Sequence, residues 1–160
     1  MNIIELMVAE HSNITRVLNV VRNASYGILK GDAINYQDFD QMIDFIKNYA
    51  DVHHHGKEEK FLFKETVDNL GNLANKLVTH GMLVEHDFGR LYISELTNAL
   101  LKVKDGDDMS KIDVIANGSL TPTLLIVSHK ASNGFIFLSI SYLPIARSTT
   151  IRYNSNEVII

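Results

Sequence analysis

The chain has 160 residues, of which 46% are hydrophobic and 21% charged, and its formal net charge is −4. These values describe an ordinary globular protein of one domain, and the negative charge argues against a general nucleic-acid-binding protein, because contacts to phosphates require a surplus of Lys and Arg. No apolar run approaches the ~20 residues of a membrane-spanning helix, so neither a nucleic-acid nor a membrane partner is expected.

The first predicted helix covers residues 2–30. Asn2 can cap its start, and Gly31 follows its last turn, as is common at helix ends. The first ten residues contain Glu5 and Glu10 but no basic residue, which is unlike a secretory signal and predicts a cytoplasmic protein. Apolar residues recur at helical spacing along one face, namely Ile3, Met7, Ile14, Leu18, Val21 and Ile28.

A second helix is predicted over residues 36–67, with Asn35 as its cap and Asp38 as an acid in its first turn. Residues 68–79, which include Gly71, are interpreted as a connection that could contain a helical stretch of its own. The inward face of the second helix is expected to carry Phe39, Ile43, Ile46, Ala50, His54 and Phe61.

A third helix is predicted from Gly81 to Lys104, and a fourth helix is expected to begin with Met109 to Asn117. Three long helices, a fourth helix and short links predict an all-α, up-down-up-down four-helix bundle. The residues expected to face inward are Met82, His86, Ile93, Leu96 and Leu100 in the third helix and Ile112, Ile115 and Ala116 in the fourth.

The amino-acid composition of the chain changes after Asn117. Of the 19 acidic residues, only Glu157 lies beyond this point, whereas both prolines do. Pro122 would kink a continuous fourth helix or begin a new helical segment. Residues 1–117 are therefore interpreted as the helical core, and residues 118–160 as a divergent C-terminal segment that completes, replaces or disrupts the fourth helix. An out-of-frame end of the gene is a second explanation for this break.

The strongest local signal is the segment from His53 to Glu59, which reads His-His-His-Gly-Lys-Glu-Glu. With seven histidines and no cysteine in the chain, a metal site must be built from imidazoles and carboxylates, ligands that suit iron, zinc or manganese. His54 and Glu58 are four residues apart on the inward face of the second helix, so both would project to the same side. His55 and Glu59 continue the polar face and are expected in solvent. A charged, solvated helix face is the alternative interpretation of the whole segment.

His11 and His86 each interrupt an apolar stripe, where a polar ring needs a partner. Taken singly, each could be a core histidine with a local hydrogen bond. In an antiparallel bundle, however, His11, residues 54–58 and His86 would lie at similar heights, within about two helical turns. This agreement favours one shared metal site. Glu10, next to His11, would point elsewhere on the helix and is not expected to be a ligand.

Together, the motifs resemble the successive signatures of hemerythrin-like (HHE) domains. They are Glu10-His11 followed by Ile14, then His54-His55-Gly56-Lys57-Glu58-Glu59 followed by Leu62-Phe63, then Glu85-His86 with Gly89-Arg90. The resemblance covers residues 1 to about 117 in order and spacing, and its middle motif is the most specific. It implies a four-helix bundle with a non-haem di-iron centre, in which histidines of the helices and bridging carboxylates hold two irons.

By this resemblance, the metal ligands would be His11, His54, Glu58 and His86. The family also has a histidine on the fourth helix with a carboxylate four or five residues later. This chain offers His129 as that ligand, but Asn133 and Gly134 stand at the two carboxylate positions. Because an amide is not an anionic bridge, one iron is expected to bind more weakly, and the occupancy of the centre to be reduced.

Three functions remain open at this level. Relatives of this kind bind dioxygen, sense oxygen or nitric oxide, or take part in the repair of damaged iron centres. The first interpretation is a non-catalytic di-iron protein whose partner is dioxygen or nitric oxide, the second a di-iron repair or redox enzyme, and the third a metal-free interaction bundle with structural histidines. An exposed apolar C-terminal segment could also drive self-association into a homo-oligomer.

Overall fold

The structure is a computed structural model that describes residues 3–121, with side chains from residue 5 onward. Helix α1 is Ile3–Leu29, close to its predicted extent. Helix α2 covers residues 36–70 and alternates between two helix types. Its α-helical parts are Tyr36–Phe45 and Phe63–Leu70, and its π-helical parts are Ile46–His55 and Glu58–Leu62.

Helix α3 covers residues 72–104 and begins earlier than predicted. It consists of Asn72–Leu77, a π-helical turn at Val78–Met82, and Leu83–Lys104. After a 3₁₀ turn at Asp108–Ser110, helix α4 runs over residues 111–121. The described residues thus form an all-α four-helix bundle, which confirms the predicted fold class.

The turns explain where the helices end. Asn35 caps α2 as predicted, because its side-chain oxygen accepts a hydrogen bond from the Asp38 amide at 3.3 Å. Between α2 and α3, only Gly71 leaves the helical conformation, with φ +68°, which glycine adopts without a steric penalty. One residue therefore makes the whole turn, and residues 72–79, predicted as part of a connection, belong to α3.

Two clusters of buried apolar residues lie on either side of a polar layer. The larger cluster contains Ile14, Ala50 and Ile93, and the smaller one is built from Met7, Leu62, Phe63, Val78 and Met82. In each of the first three helices, buried polar residues separate the two clusters. These residues are His11 in α1, His54, His55 and Glu58 in α2, and His86 in α3.

Helix α4 presents to the core a face that matches the expected one only at Ile115, which packs against the larger cluster, whereas Ala116 is exposed. Ile112 is 61% exposed, whereas Val114 is fully buried. The buried face of this helix continues through Gly118 and Thr121, which are small residues. An apolar stripe was the only guide in the sequence, so it could not identify a face made mainly of small residues in close contact.

The contact at Gly118 gives a stability prediction. A Cβ added at Gly118 would lie 2.0 Å from Oγ and 3.2 Å from Cβ of Ser25, and Ser25 is fully buried. Gly118→Ala should therefore lower the free energy of unfolding by about 1–3 kcal/mol through overpacking. Urea denaturation of the apo-protein measures this change.

Gly81→Ala is the matched control, because no atom outside its own helical turn lies within 4 Å of a Cβ built there. Alanine at a compatible helical position is expected to be neutral or stabilising by up to ~1 kcal/mol. Equal free energies of unfolding for the two variants would contradict the close approach of α4 to α1.

Several sequence predictions lie outside the described residues. They concern the cap at Asn2, the helix break at Pro122, the ligand His129 and the fate of the C-terminal segment beyond residue 121. Among the described helices, none is both long and apolar enough to cross a lipid bilayer.

Candidate metal centre

A single carboxylate stands in the middle of the polar layer. Glu58 is fully buried, and imidazoles from three helices surround it. Its Oε1 lies 3.4 Å from Nε2 of His11 and 3.6 Å from Nε2 of His54. Its other oxygen, Oε2, lies 3.3 Å from Nε2 of His86. The structure thus brings together the four described residues that were predicted as ligands.

His55 joins this group, although the sequence placed it in solvent. It is only 3% exposed, and its ring stacks on that of His86, with centroids 3.7 Å apart and planes 8° from parallel. Glu59 was also expected in solvent, but one of its oxygens lies 2.8 Å from Nδ1 of His86. The expectation for His55 was wrong, whereas Glu59, whose side chain is 29% exposed, lies partly in solvent.

The π-helical backbone explains this error. In a π-helix the hydrogen bonds join residues five apart, so each turn holds more residues than an α-helical turn. Ile46–His55 is such a segment, and successive side chains rotate less around its axis. Consequently the angle between the neighbours His54 and His55 is smaller than in an α-helix, and both rings fit on the buried face of α2.

The ligand atoms form two groups that share Glu58. One consists of His11, His54 and Glu58, and the other of His55, Glu58 and His86. Within each group, one donor atom from every residue lies within 4.8 Å of the others, and all three residues are buried. A carboxylate between two pairs of imidazoles is the arrangement expected for two adjacent cations with one bridging anion.

The distances inside each group fit a cation better than a set of hydrogen bonds. Contacts of 3.3–3.6 Å between Glu58 and the three rings exceed the usual range for N–H···O bonds. Within the described part of the chain, neither oxygen of Glu58 has a hydrogen-bond partner of acceptable geometry. Buried polar atoms normally have such partners, and a missing ion is one reason for an exception.

Carboxylates outside the centre lie next to Nδ1 of three rings and accept hydrogen bonds from two of them. Glu10 accepts a hydrogen bond from Nδ1 of His54 at 2.8 Å, and Glu59 accepts one from Nδ1 of His86 at 2.8 Å. Asp51 lies 3.4 Å from Nδ1 of His55. When Nδ1 carries the donated proton, Nε2 keeps its lone pair for a metal, and such partners fix both the tautomer and the ring orientation.

Each of these carboxylates also has a cationic partner. Lys57, buried in α2, binds Glu10 through Nζ and lies 3.1 Å from Nε2 of His53. Arg90 of α3 binds both Asp51 and Glu59. These roles leave no periodic signal in the sequence, because the contacts of Lys57 with Glu10 and of Arg90 with Asp51 and Glu59 join different helices.

The charges of the central groups follow from burial and these contacts. Burial alone would raise the pKa of Glu58, but the surrounding rings of His11, His86 and His54 lower it well below its usual range, so Glu58 is an anion. Burial lowers the pKa values of His54 and His55, which keeps both rings neutral at pH 7. Burial opposes charge on His86 as well, yet Glu58 and Glu59 raise its pKa.

The Glu10 contact gives a pH prediction. Burial works against the anion, but hydrogen bonds from His54 and Lys57 lower the pKa of Glu10 from 4.5 to about 2. The unfolded chain therefore binds this proton at a higher pH than the folded chain. The contribution of Glu10 to the free energy of unfolding should be fully present above about pH 5, and it should be lost as the pH falls toward about 2.

Glu10→Gln checks this dependence in the apo-protein. The variant should be less stable than the wild type at pH 7, and the two free energies of unfolding should converge as the pH falls from about 5 to about 3. Glu95→Gln, at an exposed position of α3, is the control for loss of one negative charge. A constant difference between Glu10→Gln and the wild type across this pH range would contradict the prediction.

The fold and the site together define a helical-bundle protein with a buried histidine–carboxylate centre. In agreement, the family model of the hemerythrin HHE cation-binding domain matches residues 2–120, and the chain belongs to this family. Comparison with curated proteins and with solved structures gave no match.

Proposed function

We propose that this protein is a non-haem di-iron protein that binds or senses dioxygen or nitric oxide. The observation that carries the proposal is the buried Glu58 anion with imidazoles on both sides. Imidazole and carboxylate ligands suit iron, and the family binds cations. An iron pair supplies an open coordination position for a small diatomic ligand.

The proposed ligands of one iron are His11 and His54, and those of the other are His55 and His86. Glu58 bridges the two positions, and His129 is proposed as a further ligand from the part of the chain beyond residue 121. The apolar clusters on both sides of the layer keep bulk water away from the ligands. The outer carboxylates hold the rings ready for binding, so that little reorganisation is needed when iron enters.

Anaerobic reconstitution with Fe(II) tests the proposal. We expect two irons per chain in the presence of excess Fe(II), and fewer than two after gel filtration if the weaker position predicted from Asn133 loses its metal. Exposure to air, or separately to nitric oxide, should then produce new absorption bands in the near-ultraviolet and visible range. A chain that takes up no iron and gives no new bands would instead support a metal-free bundle with structural histidines.

A further inference from the structure

Arg90 connects two helices at the edge of the centre. It belongs to α3, yet its Nε donates to Asp51 of α2 at 2.9 Å and its Nη2 donates to Glu59 of α2 at 2.7 Å. A third bond, from Nη1 to Asp87 at 2.9 Å, stays within α3. The guanidinium thus links two carboxylates of α2 to a side chain of α3.

The oxygen atoms that Arg90 binds are the same atoms that contact the histidines. Oε1 of Glu59 accepts from Arg90 and also from Nδ1 of His86. Oδ1 of Asp51 accepts from Arg90 and also lies 3.4 Å from Nδ1 of His55. Fixing these two oxygens therefore orients His86 through its hydrogen bond with Glu59, and the stacked ring of His55 with it. These are the two histidines of one proposed metal position.

The other metal position has a separate support. There, Glu10 binds His54 through Oε2 and Lys57 through Oε1. Among these contacts, neither Lys57 nor Glu10 reaches Arg90, Asp51 or Glu59. The two halves of the centre share Glu58 and meet where the ring centroids of His54 and His55 lie 5.8 Å apart, but their outer supports are separate. A change in one support should therefore affect mainly the half that it contacts.

We propose that Arg90 is a positioning residue for the half of the centre formed by His55 and His86. Through Asp51 and Glu59 it orients both rings, and it thereby sets the metal affinity of that position without setting the affinity of the other. The inference about affinity rests on the proposed function, because it requires the centre to bind two cations. The inference about ring orientation does not.

The shape of the guanidinium is essential to this role. Arginine presents several N–H donors in one rigid plane, so it can hold two carboxylates at once in fixed directions. Lysine keeps the positive charge but has a compact ammonium group on a flexible chain. Arg90→Lys should therefore keep the positive charge, but it should orient Asp51 and Glu59 only in part.

The first readout is the tautomer of each ring in the apo-protein, observed by ¹⁵N NMR at a pH where the rings are neutral. In the wild type, His86 and His54 should each show one tautomer, protonated at Nδ1. Arg90→Gln should give a tautomer mixture at His86 and leave His54 unchanged, whereas Lys57→Gln should do the opposite. Unchanged His86 signals in Arg90→Gln, or equal changes at both rings, would overturn the proposal.

The second readout is a titration with Zn(II), followed through the same ring signals. Arg90→Gln should weaken binding at the His86 position about 10–100-fold, the usual effect of losing an outer partner, and should leave the His54 position within about twofold. Arg90→Lys should recover part of this loss. An equal loss at both positions, or no loss at either, would contradict the proposed role of Arg90.

Two controls separate the possible failures. Lys64→Gln removes a cation from an exposed ion pair with Asp68 and should change neither readout, and circular dichroism verifies that each variant is folded. If wild-type protein binds no Zn(II), the inference about affinity fails, and the anaerobic Fe(II) reconstitution decides the proposed function separately. The apo-protein tautomers then decide by themselves whether Arg90 positions the rings.

Discussion

Replacing Glu58 by glutamine is expected to remove tight metal binding from both positions of the centre. The amide keeps the shape of the side chain but loses the negative charge that lies between the rings of His11, His54 and His86. Since outer partners alone contribute 10–100-fold to metal affinity, loss of the shared carboxylate should cost more than about 100-fold at each position. Anaerobic Fe(II) titration with metal analysis measures both affinities.

Glu95→Gln is the matched control, because it makes the same chemical change on the surface of α3 and should leave metal binding unaltered. Because the surrounding rings hold the pKa of Glu58 below its usual range, the apo form of Glu58→Gln should be less stable than the wild type at pH 7, and circular dichroism verifies that the variant is folded before metal is added. Retention of two tightly bound irons in Glu58→Gln would show that this carboxylate does not bridge the metals.

Replacing Phe39 by alanine is expected to cause a large loss of stability. Phe39 is the largest side chain among those that are almost completely buried, and it belongs to the larger apolar cluster, at a distance in sequence from the proposed ligands. Truncation of a buried phenylalanine typically lowers the free energy of unfolding by about 3–5 kcal/mol, because apolar contacts are lost and a cavity remains. Urea denaturation monitored by circular dichroism measures the difference.

Phe88 provides the control, since 45% of this residue is exposed. Phe88→Ala should change the free energy of unfolding by less than about 1 kcal/mol. Phe39→Leu keeps most of the apolar volume and should lose less stability than Phe39→Ala, so a graded series remains measurable if the alanine variant does not fold. Equal effects at the two phenylalanines would contradict the burial of Phe39 in the core.

Hydrophobic periodicity and helix-capping residues predicted the bounds of the first helices of the bundle well. The stripe through Met7, Ile14 and Leu18 and the cap at Asn35 gave helices close to those observed. These signals are local, since they depend on neighbours within a few turns of the same helix. They fail where the chain departs from ordinary α-helical geometry, as at Gly71, where one residue makes a turn that the composition had suggested was longer.

Local patterns in the sequence also predicted part of the candidate metal centre, but not all of it. His54, Glu58 and His86 lie on apolar stripes, and a count of residues along antiparallel rods places them at one height, where the structure brings them together. His55 escaped prediction because the apolar stripe assigned one histidine of the segment to the inward face, whereas the π-helical backbone of Ile46–His55 brings the side chains of His54 and His55 closer together in direction. Nothing in an apolar pattern distinguishes a wider helical turn from a regular one.

The sequence by itself determined the helix class, the main core faces and the residue types that could hold a metal. These features follow from chemistry that each segment carries alone. Only the tertiary structure decided which carboxylate orients each ring, because the contacts of Glu10 with His54 and of Glu59 with His86 join side chains from different helices. The distances between these side chains depend on how the helices pack together, and the sequence of a single helix does not specify that packing.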